Sequence, residues 1–182
     1  MKKASSKNVS VKSFDSHKDI THSTSKAHHD SIDGKIQSTL LSDTDVSSLL
    51  FMIEEEKMAR DVYDTLFDQT GLIQFERISD SEQQHYNTLL STADKLGIDT
   101  DALSTEVGVF TNIEVQNLYD QLIAQASISS DAAVEVGIAI EQTDIADLYA
   151  AIDSTEITLL GTVYNHLLDA SINHLNAFEN IA

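Results

Sequence analysis

Glu82 and His85, Glu141 and Asp144, and His174 are the side chains of this sequence whose types and spacing could do chemistry. Each pair is three residues apart, so on a helix both members lie on one side. On a period of about 3.6 residues, Glu82 and His85 sit in an apolar stripe with Ile78, Leu89 and Leu96. His174 sits in another, with Leu160, Val163, Leu167, Ser171 and Phe178, and Glu141 is central in a third with Val134, Ile138, Ile145, Leu148 and Ile152. A fourth stripe, Leu49, Met52, Ala59, Val62, Tyr63, Leu66 and Phe67, is flanked by Glu55 and Glu56, between which periodicity does not choose. One polar residue in an apolar stripe is ordinarily a hydrogen-bonded core side chain. Four such stripes together supply hard carboxylate oxygens and imidazole nitrogens without sulfur, the donor set that suits a pair of divalent metal ions.

These stripes require long helices, and the composition favours them. The chain has no proline, six glycines and no cysteine in 182 residues, with 41% hydrophobic content. That is enough for one domain with a core, and it excludes disulfides, thiolate zinc sites and iron–sulfur clusters. The net charge is −19, and residues 46–182 carry 24 acidic side chains against 4 basic ones. Nucleic acid is therefore an unsuitable partner for the folded part, whereas cations are drawn to it. No segment has the roughly 18 consecutive apolar residues of a membrane span, so no membrane partner is expected either.

Residues 1–41 read as a polar leader without helical or strand periodicity, and the folded domain is expected over 42–182. Lys2 and Lys3 are not followed by the apolar run of a secretion signal, which makes a cytoplasmic location the expectation. Four histidines of the leader, His17, His22, His28 and His29, are read as ordinary members of a polar tail.

Four long helices are predicted over about Asp43–Thr70, Gln74–Leu96, Asp131–Ile152 and Thr155–Asn180. Ser42 with Asp45 forms the start signal of the first, and Gly71 and Gly97 stop the first two. Glu54, Lys57 and Asp61 fall on the polar side of the first helix. A long connection, Gly97–Ser129, carries a short helix over about Asn112–Gln125 with Thr111 as its expected cap. Such a connection can run the length of a bundle, the one-crossover arrangement of ferritin-like folds. Glu56 and His85 are equidistant from the Gly71 turn, whereas the midpoint of Glu141 and His174 falls near Ile157, a few residues past the expected turn.

Glu56-Lys-Met-Ala59-Arg60-Asp-Val-Tyr63, followed by Glu82-Gln-Gln-His85, resembles the first two helices of rubrerythrin-type ferritin-like proteins, and this resemblance selects Glu56 over Glu55. The stretches Phe51–Tyr63, Gly108–Tyr119, Ile140–Leu148 and Asn173–Phe178 are similar to the ferritin-like family called domain of unknown function 2202. The resemblance implies an all-α, ferritin-like four-helix bundle with one long crossover carrying a short extra helix. It also implies Glu56, Glu82, His85, Glu141, Asp144 and His174 as ligands of a di-iron or di-manganese centre, with zinc as a substitute. Related di-iron proteins end their set with Glu-x-x-His, where this chain has Ser171-x-x-His174. Either Asp144 replaces that carboxylate, or the second metal is weak or absent.

The leading expectation is a non-haem di-metal protein that reacts with oxygen or peroxide, an oxidase or peroxidase type of oxidoreductase. In it Tyr63 orients Glu141 or Glu56. Lacking cysteine, it would draw electrons from an external donor or from the ferrous ions, and a homodimer is the candidate assembly. The alternatives are an iron-sequestering protein without turnover and a metal-free structural bundle. Limited proteolysis should trim the leader to near Ser42 and leave the helical content of the remainder intact. Loss of the helical signal on trimming would contradict that boundary.

Overall fold

The computed structural model describes residues 40–182, so the expected leader lies, up to position 39, outside the described residues. Five helices form: α1 (Asp43–Thr70), α2 (Ile73–Leu96), α3 (Ile113–Ala126), α4 (Ser130–Ser154) and α5 (Thr158–Glu179), with no strand among the described residues. The fold is all-α. None of these helices is long and apolar enough to cross a membrane.

Local chemistry sets the helix ends. The Ser42 hydroxyl accepts from the Asp45 N–H at 3.0 Å and Asp45 accepts in return from the Ser42 N–H at 2.9 Å, a reciprocal cap. Gly71 and Gly97 end α1 and α2 in the left-handed region, at φ 69° and 71°, where glycine carries no side-chain penalty. The cap of α3 is Asn112 rather than Thr111, its side chain accepting from the Glu114 N–H at 2.9 Å.

α1 and α2 form one hairpin through Gly71 and Leu72, and α4 and α5 form another through residues 155–157. α1 packs on α4 and α2 on α5, and α3 lies against α1 and α4. Contacts along the length of α1 give its direction. Asp45 accepts from the Thr155 hydroxyl at 2.6 Å near one end, and Tyr63 donates to Glu141 at 2.6 Å further along, so α1 and α4 run antiparallel. The connection between α2 and α3 therefore carries the chain back along the bundle.

The inward face of α4 is rotated from its expected stripe. Ile138, Ile145 and Ile152 are only half-buried, while Gly137, Glu141, Asp144, Leu148 and Ala151 are buried. The Phe178 ring explains the shift, since a Cβ on Gly137 would come within 3.0 Å of it. The small residue faces inward because an aromatic ring fills the space. Tyr63, Phe75 and Phe178 stack around that point at 5.2–5.9 Å.

A second difference concerns α1, which is buried on every side from Met52 to Ala59. Glu54, Lys57 and Asp61 are buried and do not form a solvated face. The residues before α3 cover them and replace water. The Thr111 and Asn112 N–H groups donate to Glu54, the latter at 2.8 Å, placing a carboxylate on the positive end of α3. Lys57 donates to Asp61 at 2.9 Å and to the Glu106 and Val109 carbonyls at 2.6 and 3.2 Å, and lies 4.2 Å from the Phe110 ring centroid. Asp61 also accepts from the Gly108 N–H at 2.9 Å. Replacing Glu54 with Ala should strand two N–H groups and lower stability by about 1–3 kcal/mol, with faster protease cleavage between residues 97 and 112. Denaturant melts and timed proteolysis measure both, and wild-type values would show that the carboxylate does not hold the connection down.

Candidate metal centre

Six predicted residues converge between the two hairpins, two from each of α2 and α4 and one each from α1 and α5. α4 ends at Ser154 and α5 starts at Thr158, so the midpoint of Glu141 and His174 falls at the turn and the two residues meet in depth. Glu82 is shared. One of its oxygens lies 2.6 Å from Nδ1 of His85 and the other 2.8 Å from Nδ1 of His174. Glu56 approaches the same His85 nitrogen at 3.3 Å, and Glu141 approaches that of His174 at 3.6 Å. Two groups of potential ligand atoms result, Glu56–Glu82–His85 and Glu82–Glu141–His174, each with all its atoms within 4.8 Å of one another.

Neighbours fix these side chains. Tyr63 donates to Glu141 Oε1 at 2.6 Å, one of the two orientations the sequence left open for it. Nε2 of His174 meets the Ser81 hydroxyl at 3.0 Å, which leaves Nδ1 facing the carboxylates. The imidazoles stack at 5.6 Å, and each side chain is 11% exposed. Arg60 of α1 donates to Gln83 of α2 at 2.7 Å and to Asp61, joining the hairpin next to the site.

Asp144 is buried beside Glu141 and Glu56 but belongs to neither close group. It lies next to Ser171, whose hydroxyl donates to the Leu167 carbonyl at 2.9 Å. Both glutamates that periodicity could not separate are buried: Glu56 faces His85, and Glu55 faces Asp147 of α4. Asp147 is a carboxyl outside the predicted set, and its place one turn beyond Asp144 is the sequence signal for it. His166 of α5 is exposed and takes no part in the site.

A family model described as "Uncharacterized protein domain (DUF2202)" matches residues 45–181. The chain belongs to the DUF2202 family. It is similar to "Uncharacterized protein MJ0754" of Methanocaldococcus jannaschii, at 37% identity over 138 residues, covering 76% of this chain and 75% of that one. The crystal structure of hypothetical protein MJ0754 superimposes with a TM-score of 0.76 at 34% identity, over 84% of this chain and 85% of the other. The DUF2202 description assigns no activity, so the chemistry has to come from the site.

Burial is the strongest influence on the carboxyls of this DUF2202 chain. It pushes Glu55, Glu56, Glu141 and Asp144 upward, Glu141 to about 7, and neighbouring carboxylates push the same way. Burial would raise Glu82 too, but contact with His174 and His85 outweighs it and holds this carboxyl at about 2. Burial opposes charge on the imidazoles, yet Glu56 and Glu82 lift His85 to about 11, and Glu141 and Glu82 lift His174 to about 9.

Raised carboxyls and raised imidazoles alike favour the protonated form. Four buried carboxyls, Glu56, Glu82, Glu141 and Asp144, surround two imidazoles, while Lys57 and Arg60 are engaged with Asp61. Glu56 Oε1 and Nδ1 of His174 are buried without an aligned hydrogen bond. Buried polar atoms ordinarily have a partner, so these two are exceptions.

Groups whose pKa is raised by folding stabilise the fold fully below their unfolded value and lose that contribution as pH climbs through the folded one. Glu141 loses it between about 4.5 and 7, His174 between about 6.5 and 9, and His85 on the way to about 11. The contribution of Glu82, lowered from 4.5 to about 2, is complete by pH 6 and does not offset them. In chelator, the melting temperature should therefore fall by several degrees from pH 6 to pH 9, and a constant or rising value would contradict the assignment.

Proposed function

We propose that this chain is a ferritin-like protein holding a dinuclear iron or manganese centre that reacts with oxygen or peroxide. The observation that carries the reading is Glu82, which directs one oxygen to each of two histidines on different helices. Glu56 with His85 and Glu141 with His174 would then complete two three-residue groups that share Glu82. The antiparallel register of α1 and α4, with a long connection before α3, supports a ferritin-like bundle with one crossover.

The donor set of carboxylates and imidazoles fits iron or manganese, and zinc as a redox-inactive substitute. The buried, unaligned oxygen of Glu56 and nitrogen of His174 fit the same group. When bound, such a metal pair supplies Lewis acidity and electrons for reduction of oxygen or peroxide. The chain's own side chains orient and exclude. Tyr63 holds Glu141 by a charge-assisted hydrogen bond, Ser81 holds His174, and the Tyr63–Phe75–Phe178 cluster keeps water from one side. Asp144 takes the place next to Ser171 where the related pattern has a carboxylate, so it serves as the reserve ligand. The chain has no cysteine for an electron-transfer cluster, so electrons for repeated reduction of oxygen would come from an external donor.

Glu141→Leu separates this reading from a metal-free bundle. The metal-free variant should melt at or above the wild type, because a crowded carboxyl is removed and Tyr63 still has the Gly137 carbonyl 3.5 Å away. Most of the rise in melting temperature produced by Fe(II) or Mn(II) should be lost with the inner pair of ions. If the wild type shows no metal-dependent rise, the proposed centre is wrong. Peroxide consumption sustained by added reductant, against a single stoichiometric oxidation of Fe(II), distinguishes an enzyme from an iron store.

A further inference from the structure

Among the described residues, four carboxylate oxygens are buried without a hydrogen bond: Glu55 Oε2, Glu56 Oε1, Asp144 Oδ1 and Asp147 Oδ2. Glu56 belongs to the centre described above. The other three lie together between α1 and α4, with Asp144 at the border of that centre. Glu55 and Asp147 face one another at hydrogen-bonding range, and Asp144 lies within electrostatic reach of Glu55, one helical turn before Asp147. Two carboxylates brought together in this way repel unless a proton is shared between them or a cation takes its place.

Among the described residues the surroundings offer no protein cation. Lys57 and Arg60 are engaged with Asp61, and the small pocket that borders Glu55 is lined mainly by apolar side chains, including Met58, Leu118, Leu122 and Ile140. Glu55 is 3% and Asp144 6% exposed, while Asp147 is half-buried and gives the cluster an edge towards solvent.

We propose that Glu55 and Asp147, backed by Asp144, bind a further divalent cation beside the inner pair. Its ligands are oxygens alone, without imidazole, and three carboxylates do not close around one point as they do at Glu82. Such a site takes a hard ion that keeps several of its waters, Mg(II) or Mn(II) rather than Zn(II). The outer site goes beyond the proposed dinuclear centre and does not need Glu82 or either histidine.

Mn(II) is the probe, titrated into the full, metal-free chain at physiological salt, with free ion counted by electron paramagnetic resonance. Wild type should bind two ions that resist excess Mg(II) and one that Mg(II) displaces. The double variant Glu55→Gln, Asp147→Asn should lose the Mg(II)-sensitive ion, its affinity falling about tenfold or more, and keep the other two. Glu82→Gln should do the reverse. A double variant that binds as the wild type does, or a wild type without a Mg(II)-displaceable ion, overturns the outer site. If Glu82→Gln changes nothing while the double variant loses an ion, the dinuclear reading fails and the outer site stands. Melts in chelator verify folding, and Asp147→Asn alone, at a half-exposed position, carries the same test should the double variant unfold.

Discussion

Glu82 touches two imidazoles at once, one with each carboxylate oxygen, and the arrangement of the long helices follows from satisfying it. A buried carboxylate is costly unless it is paired on both sides. His85 lies on its own helix, so the first contact is local, but His174 comes from α5 at the far end of the sequence. That contact is available only when the two hairpins are aligned in depth. The tight turn at Gly71 sets the depth of one hairpin, and the residues between α4 and α5 set that of the other.

α1 meets the same constraint more severely, because it is enclosed all round where Glu54, Glu55, Glu56 and Lys57 follow one another. Successive residues on a helix point about 100° apart, so the four charges leave in different directions. Glu54 caps α3, Glu55 faces Asp147 on α4, Glu56 faces His85 on α2, and Lys57 binds Asp61 and the carbonyls of the connection. The helix is thus the hub to which the neighbouring elements are keyed, and its polar residues are the keys.

Much of this could be read from the chain. Helix ends were legible because their signals are local, as at Ser42 with Asp45, Gly71 and Gly97. Glu82, His85, Glu141 and His174 stood out because each interrupts an apolar stripe. The burial of Glu54, Lys57 and Asp61 was hidden, since what covers them is a segment without periodicity some fifty residues away. The inward face of α4 is hidden for a different reason: Ile138, Ile145 and Ile152 dominate a pattern based on hydrophobicity, but the room inside is set by Phe178 and suits Gly137. Glu55 and Glu56 could not be told apart by exposure because both are buried, and only their partners on different helices separate them.

The hub character of α1 makes its sequence intolerant of a kind of change that point substitution does not explore. Deleting or inserting one residue ahead of Glu54, with Ser42 and the Asp45–Thr155 tie kept, would turn everything beyond it by about 100°. Glu55 would then point where Glu54 or Glu56 had pointed, and every charge would face a partner meant for its neighbour. Divergence along this helix is therefore confined to exchanges of one side chain for another, while length variation is left to the tips of the hairpins and to the connection before α3.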